Sequence, residues 1–353
     1  QIKENKKLKK IIEEISSSKM NEISKIYFMI ENCKKYGTLP FAGVARCAFI
    51  GKQIIDSLIN IGIMSNSDAN NFYSGINSIS SKLNKDLNNL TTKEFNEKYG
   101  HLRPNTYSIS SLNYKENFKN YFKKKSYLKT KNYKKNKINN KILKLLKNTF
   151  RKKKLEIKYE RFLEFVEKSI INRELSKFIF SKAIDEIFKN LISFGKKINI
   201  KRNDFDFVPI NMILDSYNNL SLSKLKILLK KEIVQNKKKQ KLLNLINLPE
   251  VINNKEDIYC YEEILKKGNY VTQNKIIGKT KCLKYNTNKN ISSLKNKIII
   301  IENADPGFDY VFTYGIKGLI TKYGGANSHM AIRCLEMNIP AIIGVGQKKY
   351  SEI

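Results

Sequence analysis

The chain has 353 residues, with 67 Lys and Arg against 32 Asp and Glu and a formal charge of +35. Such a balance ordinarily points to nucleic acid or an anionic membrane. Only seven of the cations are Arg, the favoured reader of phosphates and base edges, and Lys, Asn and Ile dominate every region alike, as a codon bias toward A and T would produce. A salt-sensitive, nonspecific affinity for polyanions is therefore expected, without a specific nucleic-acid or membrane partner.

Residues 1–122 read as a helical region. Ile11, Ile12 and Ile15, then Ile23, Ile26, Tyr27 and Ile30, recur at helical spacing until Tyr36-Gly37-Thr38-Leu39-Pro40 interrupts them. A helix from about Phe41 to Ile61 follows. Its small residues Ala42, Gly43, Ala45, Ala48 and Gly51 suit close packing of helices, with ligand contact as the other reading. Further on, Gly100-His101-Leu102-Arg103-Pro104 holds one of the two histidines of the chain. His101 and Arg103 are candidates for an acceptor site, with the imidazole as general base for a hydroxyl. The structural alternative is that they pin a loop through hydrogen bonds to backbone carbonyls.

Residues 123–154 are rich in Lys, including Lys123-Lys124-Lys125 and Arg151-Lys152-Lys153-Lys154, and are expected to form a solvated linker or loop. Helices return over 155–250. Leu155, Tyr159, Phe162, Phe165, Val166 and Ile170 form one apolar stripe and Phe180, Ile184, Ile187 and Leu191 another, so two long amphipathic helices are expected.

The last region, 251–353, changes character. The apolar run Lys297-Ile298-Ile299-Ile300-Ile301 suits a buried strand, and Asp305-Pro306-Gly307 starts a helix that Gly315 stops. Gly318-Leu319-Ile320-Thr321 is the next strand, followed by a glycine turn and a helix from His329 to Met337-Asn338, with Pro340 beyond it. Ala341-Ile342-Ile343-Gly344 supplies a third strand. This alternation predicts a parallel α/β unit with His329 at the carboxyl end of a strand, where such sheets place ligands.

His329 is the residue on which function turns. Gly324 and Gly325 permit a sharp turn, Asn327 or Ser328 can cap the helix, and the free N–H groups of its first turn favour an anion there. Neutral imidazole is a good nucleophile and, once phosphorylated, a good leaving group. The candidate phosphate-binding residues are Thr321, Gly324, Gly325, Asn327, Ser328 and Arg333. Arg333 lies one turn after His329, either to contact the phosphoryl group or donor site, or as an exposed helix Arg paired with Glu336.

The run Gly324-Gly325-Ala326-Asn327-Ser328-His329-Met330-Ala331-Ile332, through Glu336, Ile339-Pro340-Ala341 and Gly344, resembles the mobile phosphohistidine domain of the PEP-utilising enzymes. That family includes phosphoenolpyruvate synthase, pyruvate phosphate dikinase and rifampicin phosphotransferase. Glu302-Asn303-Ala304-Asp305-Pro306-Gly307-Phe308-Asp309-Tyr310 and Gly315-Ile316-Lys317-Gly318 extend the likeness, with one departure: the arginine of the helix is Arg333, and Leu335 precedes Glu336. Arg173-Glu174-Leu175 with Lys177 and Phe178, and Asp206-Phe207-Val208-Pro209-Ile210, are similar to segments of the rifampicin phosphotransferase type, as is the Gly-His-Arg segment around His101, where Leu102 intervenes and Ser108 replaces an acid.

The resemblance implies a multidomain protein, mainly α-helical at first and ending in an α/β swivelling domain. It implies that His329 takes the β-phosphate of ATP at an ATP-grasp domain with Mg²⁺ and passes it to a small-molecule acceptor, pyruvate or another. The stretch from Asn254 to Tyr270 is the candidate hinge. The rival reading is a noncatalytic phosphocarrier or interaction module of a multi-subunit system. No Walker-type loop occurs, so this piece alone is not expected to use ATP. Starting at Gln1 and stopping at Ile353, it is expected to be a fragment with its last domain incomplete. The five cysteines form no C-x-x-C pair and suggest neither a metal site nor disulfides, and no signal peptide or membrane helix is evident, so a cytoplasmic setting is expected.

Overall fold

Our computed structural model describes residues 2–76, 79–122, 138–154, 156–218, 221–246, 248–249, 251–260, 268–272, 274–283, 293–326 and 328–353. Helices α1 (Ile2–Ser17) and α2 (Glu22–Cys33) turn Leu8, Ile12, Ile15, Ile26 and Met29 inward. The interruption expected at Tyr36–Pro40 is a π turn over Lys34–Thr38, and α3 (Leu39–Asn60) continues directly from it. Pro40 sits in the first turn of α3, where its missing N–H costs nothing. Helices α4 (Asn66–Ser74), α5 (Ile79–Asn89) and α6 (Thr92–Tyr99) follow, then a loop and the single turn α7 (Phe118–Tyr121).

Two sequence expectations change here. The Lys-rich stretch 123–154 is not all linker: residues 123–137 lie outside the described residues, but α8 (Asn140–Lys152) is a helix that buries Ile142 and Leu146. The two helices expected over 155–191 are one, α9 (Tyr159–Ile198), 40 residues long and ended by Asn199 in the left-handed conformation. No Pro interrupts it, and buried Glu174 and Ser176 bridge the gap between its two apolar stripes, with Ser169, Ser181 and Asp185 also buried along it. Short α10 (Ile210–Asp215) and α11 (Leu222–Leu243) complete the helical part. Gly51 lets α3 approach α9 closely, since a Cβ there would lie 3.3 Å from the Ser169 hydroxyl.

A small mixed sheet lies near the C-terminal end. Strands β1 (Asn269–Tyr270), β2 (Thr280–Leu283), β3 (Ile298–Asn303), β4 (Gly318–Tyr323) and β5 (Ala341–Ile343) are ordered β1-β5-β4-β3-β2, all parallel except β1, which runs antiparallel to β5. The three strands expected from sequence are β3, β4 and β5. A 3₁₀ helix over Pro306–Tyr314 joins β3 to β4, and α12 (His329–Glu336) joins β4 to β5 before α13 (Gln347–Glu352). The candidate hinge at Asn254–Tyr270 ends inside the sheet, in β1, and its residues 261–267 lie outside the described residues.

The apolar core of the sheet is not confined to it. Ile299, Ile301, Phe308, Tyr310, Phe312 and Leu319 share one cluster with Leu83, Phe95, Tyr99, Tyr114, Tyr121 and Phe122 from the α5–α7 region. Separate clusters gather α1, α2 and α11 on the C-terminal half of α9, and α3, α4 and α8 on its N-terminal half. Its middle, where Glu174 is buried, lies instead beside the cap of the 3₁₀ helix and the start of α12. Among the described residues no helix is long and apolar enough to cross a membrane.

Candidate functional site

Two adjacent parallel strands deliver the site. Beyond the end of β3, the 3₁₀ helix carries Asp309; beyond the end of β4, the glycine turn leads to His329, the first residue of α12. Gly324 has φ +132°, a conformation that side chains resist, and Ser328 caps the helix by accepting the N–H of Ala331. Mid-α9 then brings Glu174 across from the helical part.

His329 is 8 % exposed and held between carboxylates. Its Nε2 lies 2.7 Å from Asp309 Oδ1, and its Nδ1 lies 3.7 Å from Glu174 Oε1. Burial alone disfavours the imidazolium, but the Asp309 and Glu174 carboxylates outweigh it and raise His329 to about 9. Arg333 is buried one turn on, its Nε 3.8 Å from Asp309 Oδ1 and its guanidinium 5.6 Å from the Phe312 ring centre. That burial overturns the reading of Arg333 as an exposed helix residue; the Glu336 side chain lies outside what the structure describes.

Beside His329 lies a cavity of about 320 Å³. Phe41, Ala45 and Phe49 of α3, Ile79 and Leu83 of α5, Leu102 and Phe178 give it apolar walls, while Arg173, Glu174 and Lys177 of α9 join Asp309, Ser328 and His329 at the polar end. Burial lowers the Arg173 guanidinium while adjacent Glu174 supports its charge. Lys177 lies 3.5 Å from Asp305. Three cations, Arg173, Lys177 and Arg333, thus stand near three carboxylates and one imidazole, and burial strengthens the pairings among Arg333, Asp309 and His329 most.

The other sequence candidates are placed as follows. Ser328 lines the cavity beside His329, and Gly324 and Gly325 form the turn before it, but Asn327 lies outside the described residues. Thr321 is fully buried in β4, with its hydroxyl accepting the Gly344 N–H, and it does not line the cavity. Of the His101–Arg103 segment only Leu102 reaches the cavity. His101 packs edge-on against Phe178 at 4.6 Å, and Arg103 forms a buried ion pair with Asp185 while donating to the Ser111 carbonyl at 3.1 Å. Neither His101 nor Arg103, the expected acceptor-site pair, lines the cavity, and Arg103 holds its loop through Asp185 and the Ser111 carbonyl.

Asp309 and Glu174 were not read as site residues from sequence. Each carried a signal: Asp309 is an isolated carboxylate inside the apolar run Phe308–Phe312, and Glu174 falls where the apolar stripes of α9 lapse. Residues 294–352 match the family described as PEP-utilising enzyme, mobile domain, which aligns this segment with phosphotransfer chemistry. Comparison with curated proteins gives no match.

Proposed function

We propose that the protein is a dikinase-like phosphotransferase in which His329 carries a phosphoryl group from ATP to an acceptor bound in the cavity against α9. The observation that carries the proposal is the position of His329, flanked by two carboxylates and opening on an apolar cavity with cations at the same end. ATP and Mg²⁺ enter this reading at an ATP-grasp domain, and no residue of this chain is assigned to them. The cavity walls fit a largely apolar acceptor bearing a hydroxyl better than a small carboxylate such as pyruvate, which would bring charge onto Phe41, Phe49 and Leu83.

Delivery follows from the arrangement. The phosphorylated ring keeps a proton on its second nitrogen, paired with a carboxylate. The acceptor oxygen attacks phosphorus, the N–P bond breaks, and its electrons return to the ring nitrogen. Glu174 is near enough to take the acceptor's hydroxyl proton and hand it to the ring. Arg173, Lys177 and Arg333 offset the charge that spreads over the transferring group. The product is the imidazolium held between Asp309 and Glu174, the species the raised pKa of His329 favours.

Incubating the full-length protein with ATP labelled at the β-phosphate tests this. An acid-labile, base-stable label mapping to position 329 is expected. Label at another residue, or undiminished transfer by His329→Gln, overturns it.

A further inference from the structure

Outside the carrier and its carboxylates, one turn of the sheet module gathers several bonds to the helical part. Asp305 caps the 3₁₀ helix by accepting the Gly307 N–H at 2.8 Å, and its carboxylate also accepts the Thr106 hydroxyl at 2.9 Å and faces Lys177. The Gly307 carbonyl accepts the Tyr114 hydroxyl at 2.8 Å. A Cβ on Gly307 would overlap the Arg103 carbonyl and the Pro104 nitrogen, so two backbones touch where a side chain would stand. Tyr310, next to Asp309, rests on Tyr121 at 4.8 Å.

We infer that the Asp305–Gly307 turn is the element that seats the sheet module on the helical part and so positions His329 at the acceptor cavity. The reasoning is geometric. Asp305 caps, and Gly307 lies on, the same short helix as Asp309, whose carboxylate holds the His329 ring. The opposing loop is held firmly, because Arg103 is locked to Asp185 and to the Ser111 carbonyl. The loop is thus a rigid anvil and the glycine the point of approach. This gives buried Arg103 a role: it holds the surface on which the sheet module seats. Gly307, Asp305, Thr106 and Tyr114 are positioning residues that touch no reacting atom. This inference rests on the phosphocarrier reading for its purpose, but not for its test.

Phosphoramidate, a small donor of phosphoryl groups to imidazole, reads the seating directly on this chain. The ring nitrogen attacks phosphorus, the phosphoramidate N–P bond breaks, and ammonia leaves with the proton the ring gives up. Two histidines are present, and both are buried. In the wild type both should react slowly. Gly307→Ala should speed modification of His329 roughly tenfold while leaving His101 slow, because unseating exposes only the first. A variant that unfolds instead exposes both, and Thr106→Val combined with Tyr114→Phe, which removes only hydrogen bonds, then carries the test. Reaction of His329 at the wild-type rate in a folded variant overturns the inference. Since the label comes from phosphoramidate, failure of ATP to phosphorylate His329 in the full-length protein would sink the proposed function and leave this result standing.

Discussion

His101 and His329 are 7 % and 8 % exposed, so burial presses both toward the neutral form, yet they end on opposite sides of neutrality. For His101 burial wins and lowers the pKa to about 4, because the nearest carboxylate, Asp185, is already spent on Arg103 and Lys189. For His329 two carboxylates outweigh burial and raise it to about 9. The same side chain is thus a packing element behind the cavity and a charged, chemically poised group beside it. What separates the two is not depth but direct contact: Asp309 meets the His329 ring at 2.7 Å, whereas Asp185 acts on His101 through charge alone.

The strongest way to break this comparison is to exchange the roles by mutation. His329→Gln should reduce phosphohistidine formation from ATP in the full-length protein to background, whereas His101→Gln should leave label at position 329. Both are read by mapping the acid-labile label, and loss of it in His101→Gln alone would reverse the assignment. Next in size is the ion pair that occupies the carboxylate nearest His101. Arg103→Ala leaves Asp185 buried with one cation fewer, and urea unfolding should show a loss of about 3–5 kcal/mol.

The pH dependence sharpens the contrast because the two signs oppose. His329 has a folded pKa above its ordinary value of 6.5, so its contribution to stability is complete below about pH 6.5 and is lost as pH rises through about 9. His101 has a folded pKa below 6.5, so its contribution is complete above that pH and is lost as pH falls toward about 4. Each is worth on the order of 3 kcal/mol. Subtracting the stability profile of His329→Gln from that of the wild type should isolate the alkaline loss, and His101→Gln the acid loss. Asp309→Asn should lower the His329 pKa, seen as a proton NMR titration midpoint moved to lower pH; an unchanged midpoint would remove Asp309 from the account.

Much of the sheet module was legible in sequence because its signals are local. Strands β3, β4 and β5, the cap at Ser328, the stop at Gly315 and the left-handed Asn338 depend on residues within a turn of one another. The partners of His329 were not legible in the same way. Asp309 and Glu174 reach His329 over 20 and 155 positions, and no short-range pattern records such distances. The single helix α9 was read as two for a related physical reason. Its middle turns polar residues inward toward the site, so apolar periodicity, the usual mark of a buried face, lapses where burial serves chemistry.

The smallest effect tests whether local order near each histidine matters equally. Thr91 and Glu94 form a capping box at the start of α6, which leads into His101, while Ser328 alone caps α12 at His329. Each cap satisfies an N–H of the first turn, so Thr91→Ala and Ser328→Ala should each cost about 1 kcal/mol in urea unfolding. Similar thermodynamic losses need not have similar consequences. α6 is anchored in the shared core by Phe95 and Tyr99, so fraying its start leaves His101 in place. His329 is itself the first residue of α12, and loosening that turn frees the ring to leave Asp309. Ser328→Ala should therefore shift the NMR titration of His329 toward 6.5, whereas Thr91→Ala should leave the titrations of both histidines unmoved. Equal shifts, or none in Ser328→Ala, would mean that the ring is held by its carboxylates alone and that the helix start contributes nothing to its poise.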